Sequence, residues 1–164
     1  MRRYLDTHGN SHARPAGAPV LWRVGGYGVV ERDGRLLLVE TVLPSRQRWD
    51  LPGGGIRLDP EETILEDIAR EVYEETGYRF RPDATTLALV DDAFFRPPSG
   101  AYWRMLTFAV RGDVDADPDP SWSRPSDEIV RVEWVDPSTL RRGDILAPHW
   151  KLLSSLGLID GNNR

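Results

Sequence analysis

The 164-residue chain contains no cysteine. Disulfides, zinc–thiolate sites, iron–sulfur clusters and thiol nucleophiles are thereby excluded together. Histidine is scarce at three residues, and lysine is nearly absent, so almost all of the 21 basic residues are arginine. No apolar run is long enough to span a bilayer; the longest, Leu36-Leu37-Leu38-Val39, is of strand length. The first 19 residues carry arginines but no apolar segment behind them, so they predict no secretory signal. A cytoplasmic protein without membrane attachment is expected. The net charge of −5 argues against a binder of polymeric nucleic acid, which needs a basic face.

What is present is enough for one folded unit. Hydrophobic residues make up 40% and charged residues 29% of the chain, a balance that builds a core and excludes general disorder. Residues 1–19, rich in Gly, Ala, Pro, His and Arg, read as a flexible extension, and residues 20–164 as the domain. Leu21 to Val30 and Leu36 to Thr41 predict a hairpin around Asp33-Gly34, the strongest short turn signal. Trp49–Leu51, Leu87–Asp91, Tyr102–Val110 and Val130–Val135 add strands, and the Asp-Pro-rich stretch Gly112–Asp127 reads as a long loop. Helix-start chemistry recurs at Asp136 and at Pro148, the latter opening a segment to Leu158. The expected fold class is α/β.

One helix stands apart. Asp59 as N-cap, Pro60 in the first turn and Glu62 at N3 predict its start, and Gly77 its stop. Leu65, Ile68, Ala69, Val72 and Thr76 recur at helical spacing as one apolar stripe. Asp67, Glu71, Glu74 and Glu75 fall within one arc of the opposite face. Like charges at i,i+3 and i,i+4 cost a few tenths of a kcal/mol per pair, about 0.2–0.5. They also crowd the C-terminal end, where the macrodipole disfavours negative charge. Arg70 can reach Glu74, but one cation does not balance the cluster. A solvated acidic face is the ordinary reading of such a pattern. A bound divalent cation removes both penalties, and carboxylate oxygens favour Mg²⁺ or Mn²⁺. Between Asp59 and Glu75 there are eight acids and one arginine, a local −7, which leaves the remaining chain at +2.

The run Arg70-Glu71-Val72-Tyr73-Glu74-Glu75-Thr76-Gly77-Tyr78, with Glu62 seven residues before Arg70, resembles the signature box of the Nudix hydrolases. Trp49-Asp50-Leu51-Pro52-Gly53-Gly54 is similar to the strand and double glycine that lead into that box. The loop between Gly54 and Glu62 is two residues longer than the family pattern. The resemblance implies an α/β/α sandwich with a mixed β-sheet. It also implies hydrolysis of the pyrophosphate bond in a nucleoside diphosphate linked to another group, with Mg²⁺ or Mn²⁺ as cofactor. By the same resemblance Glu71, Glu74 and Glu75 are metal ligands, joined by the Gly53 carbonyl. Glu71 is also a base, Arg70 orients a carboxylate and Glu62 holds a metal-bound water. Glu62 also fits pure capping duty. An acidic base or ligand outside the box falls on Glu128, in preference to Asp127.

For substrate contacts, Arg57, Phe95, Arg96 and Arg104 offer bidentate and stacking chemistry. Of the aromatics the Phe94-Phe95-Arg96-Pro97-Pro98 segment, read as a loop, is the leading choice. The partner is a nucleoside diphosphate derivative, and a homodimer is compatible with the sequence. A non-catalytic Nudix-like nucleotide-binding module is the competing reading; an isomerase of the isopentenyl-diphosphate type is disfavoured because that chemistry is expected to use a cysteine.

Overall fold

The computed structural model describes residues 3–6, 10–42, 48–57, 61–123 and 129–161. In chain order the elements are β1 (Arg3–Asp6), β2 (Ser11–Ala13), β3 (Val20–Val29), β4 (Glu31–Arg32), β5 (Arg35–Thr41), β6 (Trp49–Asp50) and β7 (Gly53–Gly55). They continue as α1 (Ile64–Thr76), β8 (Phe80–Pro82), β9 (Ala88–Arg96), β10 (Tyr102–Val114), β11 (Ile129–Val135) and α2 (Ala147–Ser155). The larger sheet has the order β2-β1-β9-β10-β3-β7, with β8 on β10. The smaller has the order β11-β5-β4, with β6 on β5. The β3–β10 and β1–β9 pairings are parallel and the others antiparallel, so the sheet is mixed.

Strand β5 shows why the fold has two helical layers. Leu36, Leu37, Leu38 and Val39 are all buried, as a strand covered on both faces requires. Leu36 and Leu38 pack with Val29, Trp150 and Leu153, the layer of α2. Leu37, between them in sequence, packs with Ile68, Val72 and Phe80, the layer of α1. The result is the expected α/β/α sandwich. Helix α1 comes close to β3 because Gly26 and Gly28 face it. A Cβ at Gly26 would lie 2.5 Å from Ile68, and one at Gly28 would lie 2.8 Å from Val72. Among the described residues no helix is long and apolar enough to cross a membrane.

Several boundaries differ from the sequence reading. Residues 3–6 and 11–13, expected as a flexible extension, form a hairpin whose Leu5 and Asp6 pair with Phe95 and Arg96. Tyr4 supplies the anchor, 3% exposed, with its ring edge-on to Phe94 and Tyr102. The Phe94-Phe95-Arg96 segment is strand, not loop, because it pairs with Trp103 and Arg104; the turn comes after it, at Pro97–Gly100. Strand β10 runs through Gly112 to Val114, where β8 pairs with it. Helix α1 starts later than expected. Its N-cap is Thr63, in a reciprocal capping box with Glu66 rather than one ending at Glu62. Thr63-x-x-Glu66 meets the spacing of that motif with hydrogen bonds in both directions, at 3.3 and 2.8 Å. Asp59 and Pro60 lie outside the described residues. Gly77 ends the helix in the left-handed region, its N–H on the Tyr73 carbonyl. The Asp136 segment is a single 3₁₀ turn, Pro137–Thr139.

Candidate active site

The acidic ridge of α1 is organised around one guanidinium. Arg70 Nη1 donates to Glu71 at 2.7 Å and to Glu74 at 3.2 Å, while Nε donates to Glu62 at 3.3 Å. Its Nη2 is held by Asp67. Burial works against the charge of Arg70, but the hydrogen bonds to Glu71 and Glu74 outweigh it and raise its pKa further. Released from the cap, Glu62 belongs to this cluster instead. Asp67, placed by sequence on the open polar face, is buried at 2% exposure. Its second oxygen accepts the Arg57 backbone N–H at 2.6 Å, so Asp67 ties the glycine-rich segment to the helix. A buried carboxylate needs such partners.

The ridge then meets β7. Glu75 accepts the Gly53 N–H at 2.8 Å, and Glu71 lies against Gly54, where a Cβ would be 3.0 Å from its Oε2. Gly53 has φ +144°, and a Cβ there would lie 2.2 Å from the Gly26 carbonyl oxygen. Only glycine fits. Tyr27, paired with Gly53 across the sheet, is pushed well above the ordinary phenol pKa. Burial is the main cause, followed by the negative charges of Asp50, Glu75 and Glu71.

Gly53 thus enters the site through its amide. The donor set is all oxygen, which suits a hard divalent cation. Among the described residues no three acidic or histidine side chains already close on one point. The ridge therefore offers donors rather than a finished cage. Glu128 and Asp127 lie outside the described residues.

The substrate residues read from sequence do not gather on one surface. Phe95 faces Trp103, with ring centroids 6.0 Å apart, and Arg23 stacks over the same indole at 4.9 Å. Arg104 stacks on Phe94 at 4.2 Å and Trp22 at 5.8 Å, on the opposite face of the sheet, and pairs with Asp92. Arg96 shares that second face, 5.8 Å from the Tyr102 ring. Strand alternation from Tyr27, which stacks on His149 of α2, puts Arg23 on the α2 side. Trp22 shares the α1 side with Gly26 and Gly28. A cavity of about 540 Å³, lined by Arg35, Arg48, Trp49, Arg131 and Glu133 among others, shares no residue with the ridge. Its Arg48 and Arg131 are both paired to Glu40.

Sequence reasoning missed Arg23, Asp50 and His149. Arg23 sits among apolar strand residues, and alternation was its only signal. His149 and Asp50 are 99 residues apart, beyond any local spacing.

The comparisons agree with this geometry. The NUDIX domain model matches residues 21–156. The chain belongs to the Nudix family. It is 34% identical over 128 residues to a MutT-like protein of Streptomyces ambofaciens, covering 77% of this chain and 72% of that one. It is 40% identical over 121 residues to the human 8-oxo-dGDP phosphatase NUDT18, covering 71% of this chain but 33% of the relative. The chain therefore spans only about a third of that relative's length. Among solved structures it resembles a NUDIX hydrolase from Nitrosomonas europaea at 31% identity and a TM-score of 0.51, covering 68% of this chain and 70% of that one.

Proposed function

We propose that this chain hydrolyses the pyrophosphate bond of a nucleoside diphosphate derivative, with Mg²⁺ or Mn²⁺ held by Glu71, Glu74 and Glu75. The observation that carries this reading is the ridge itself, in which one arginine braces four acids beside the Gly53 amide. A substrate with several negative charges is accepted there only if cations stand between carboxylates and phosphate oxygens. Bound at these glutamates, the cation supplies charge neutralisation and a more acidic water.

The residues of the chain do the rest. Arg70 fixes the directions of Glu71 and Glu74, and Glu62 and Asp67 fix Arg70 in turn. Glu71 takes the proton of the attacking water, with Glu128 as the second choice of base. The water oxygen joins one phosphorus, the bridging oxygen leaves with the other phosphate, and one proton is released. The nucleoside lies on the α2 side of the sheet, on Phe95 and Trp103, with Arg23 toward its phosphates. This face is favoured over that of Arg104 and Arg96 because Tyr27, which is on it, pairs with Gly53, whose N–H holds Glu75. Arg57 stands at the mouth of the ridge through its link to Asp67. An oxidised guanine nucleotide, as in the name of the human relative, is one member of the substrate class to test.

The test is turnover of 8-oxo-dGDP, ADP-ribose, a dinucleoside polyphosphate and a sugar nucleotide, with Mg²⁺ and with EDTA. Glu75→Gln is assayed beside the natural chain. Cation-dependent turnover lost in Glu75→Gln is the expected result. Turnover that survives EDTA or the substitution refutes the site, and tight cation-independent binding without turnover supports a binding module instead.

A further inference from the structure

Behind the acidic ridge lies a buried polar chain that the reaction scheme above does not use. His149, in the first turn of α2, is 2% exposed, and its Nδ1 is hydrogen-bonded to Asp50 Oδ1. The same oxygen accepts the Leu51 N–H at 2.8 Å. The imidazole is packed against the Tyr27 ring, with centroids 4.2 Å apart. The Trp49 N–H donates to the Asp144 carbonyl at 2.7 Å, so the segment before α2 grips the same strand one residue earlier. Two residues beyond Leu51 the chain reaches Gly53, whose N–H holds Glu75.

We propose that His149 and Asp50 are positioning residues, which set the path of residues 50–53 and thereby the place of the Gly53 amide and of Glu75. The inference rests on the proposed use of Glu75 as a cation ligand. The physical argument is one of over-determination. Residues 51–55 carry glycines at 53, 54 and 55 and have little stiffness of their own; from β7 onward the pairing with β3 holds them, with the Gly28 N–H on the Pro52 carbonyl. Gly53 is nevertheless held at a φ of +144° and within a hydrogen bond of a glutamate. Residues 50 and 51, before that ladder begins, take their path from a separate anchor. Asp50, which accepts from the adjoining Leu51 amide and from helix α2, is that anchor, since displacing it would leave the buried His149 without its partner. Partners that orient ligand side chains in this indirect way alter metal affinity strongly when removed.

The test compares His149→Asn with His149→Phe. The Asn Nδ2 occupies the place of the imidazole Nδ1 and keeps the bond to Asp50, whereas Phe fills the volume without a donor. Two readouts are taken. One is the amide proton shift of Gly53 in the metal-free protein by NMR, and the other is Mn²⁺ affinity by electron paramagnetic resonance. In His149→Phe the Gly53 amide is expected to move, and Mn²⁺ binding to weaken by roughly 10–100-fold. His149→Asn is expected to stay close to the natural chain in both. Should His149→Phe fail to fold, His149→Gln replaces it, since its longer amide overshoots the Nδ1 position, and the same contrast with Asn is required. A Phe or Gln variant that is folded, with an unmoved Gly53 amide and natural Mn²⁺ affinity, overturns the inference alone. A natural chain that neither binds Mn²⁺ nor turns over any of the four substrates overturns the cation reading and this inference together.

Discussion

The Gly53 N–H and Glu75 Oε2 meet at 2.8 Å although they lie 22 residues apart, and this bond joins the start of β7 to the last turn of α1. Both partners are constrained. Glu75 sits on a rigid helix, and Gly53 has no room for a side chain, with the Gly26 oxygen 2.2 Å and Tyr27 Cα 2.7 Å from where a Cβ would be. Gly53→Ala is therefore expected to destabilise the fold by about 3 kcal/mol, from a strained φ plus a backbone clash. Urea unfolding measures the loss. Hydrolysis should fall more steeply than stability, because the displaced amide releases Glu75. An Ala variant of natural stability would show that β7 relaxes freely.

Arg70 and Glu74 should behave very differently despite being partners. Arg70 has 21% side-chain exposure and holds Asp67, which is almost fully buried. Arg70→Met leaves that carboxylate without its counter-charge, held by the Arg57 amide alone next to three other acids, a change that costs about 3 kcal/mol when a buried pair is broken from one side. Glu74 is 40% exposed, and Arg70 retains its other acids without it. Glu74→Gln should therefore change stability by less than about 0.5 kcal/mol, as exposed pairs do. Activity should collapse in both variants. Thermal unfolding and turnover measured side by side separate the bracing residue from the proposed ligand. A Glu74→Gln variant that loses stability as Arg70→Met does would mark Glu74 as structural.

What could be read in the sequence was what repeats at short range. The apolar stripe of α1, the Asp33-Gly34 hairpin and the stop at Gly77 follow from local periods and turn chemistry, and all three stand in the structure. So does the link from Arg70 to Glu74, an i,i+4 contact. The N-terminal hairpin could not be read this way. Its strands are short, and Leu5 is ordered through Phe95, far along the chain. Gly112 read as a breaker, yet it continues β10 because a side chain there would strike the Arg81 carbonyl and the Phe80 ring of β8. Asp67 read as one member of an open acidic arc because helical spacing cannot show that the Arg57 amide covers it. The start of α1 was misplaced for a different reason, since Asp59-x-x-Glu62 and Thr63-x-x-Glu66, four residues apart, both fit the capping pattern and the helix begins at the second.

That occupied box can be tested at one position. Thr63 accepts the Glu66 N–H at 3.3 Å, and Glu66 returns a bond to the Thr63 N–H at 2.8 Å. Thr63→Ala removes the first and keeps the second. The expected cost is about 1 kcal/mol. Glu62→Ala should cost less, since among the described residues Glu62 bonds Arg70 and caps no helix end, and Arg70 keeps its other partners. Denaturant midpoints of the two variants check this order, and the reverse order would restore the earlier start of the helix.

Acid should unfold the protein through its turn and cap carboxylates. Hydrogen bonds hold several of them below the ordinary carboxylate range. Ser121 does so for Asp119, Ser138 for Asp136 and Thr85 for Asp83, while the Thr63 amide and hydroxyl do so for Glu66. The folded pKa of each is depressed, so the unfolded chain binds more protons in acid. Their contribution is then fully present above the unfolded value, about 4, and is lost as pH falls through the lower folded value. Melting temperature should therefore drop between about pH 5 and pH 2. Asp136→Asn and Asp119→Asn keep an acceptor oxygen for the serines but cannot titrate. The double variant should show a shallower fall over this window, with a melting temperature near that of the natural chain at neutral pH. An equally steep fall in the double variant would show that Asp136 and Asp119 do not carry acid unfolding and would leave it to Asp83, Glu66 and Glu40.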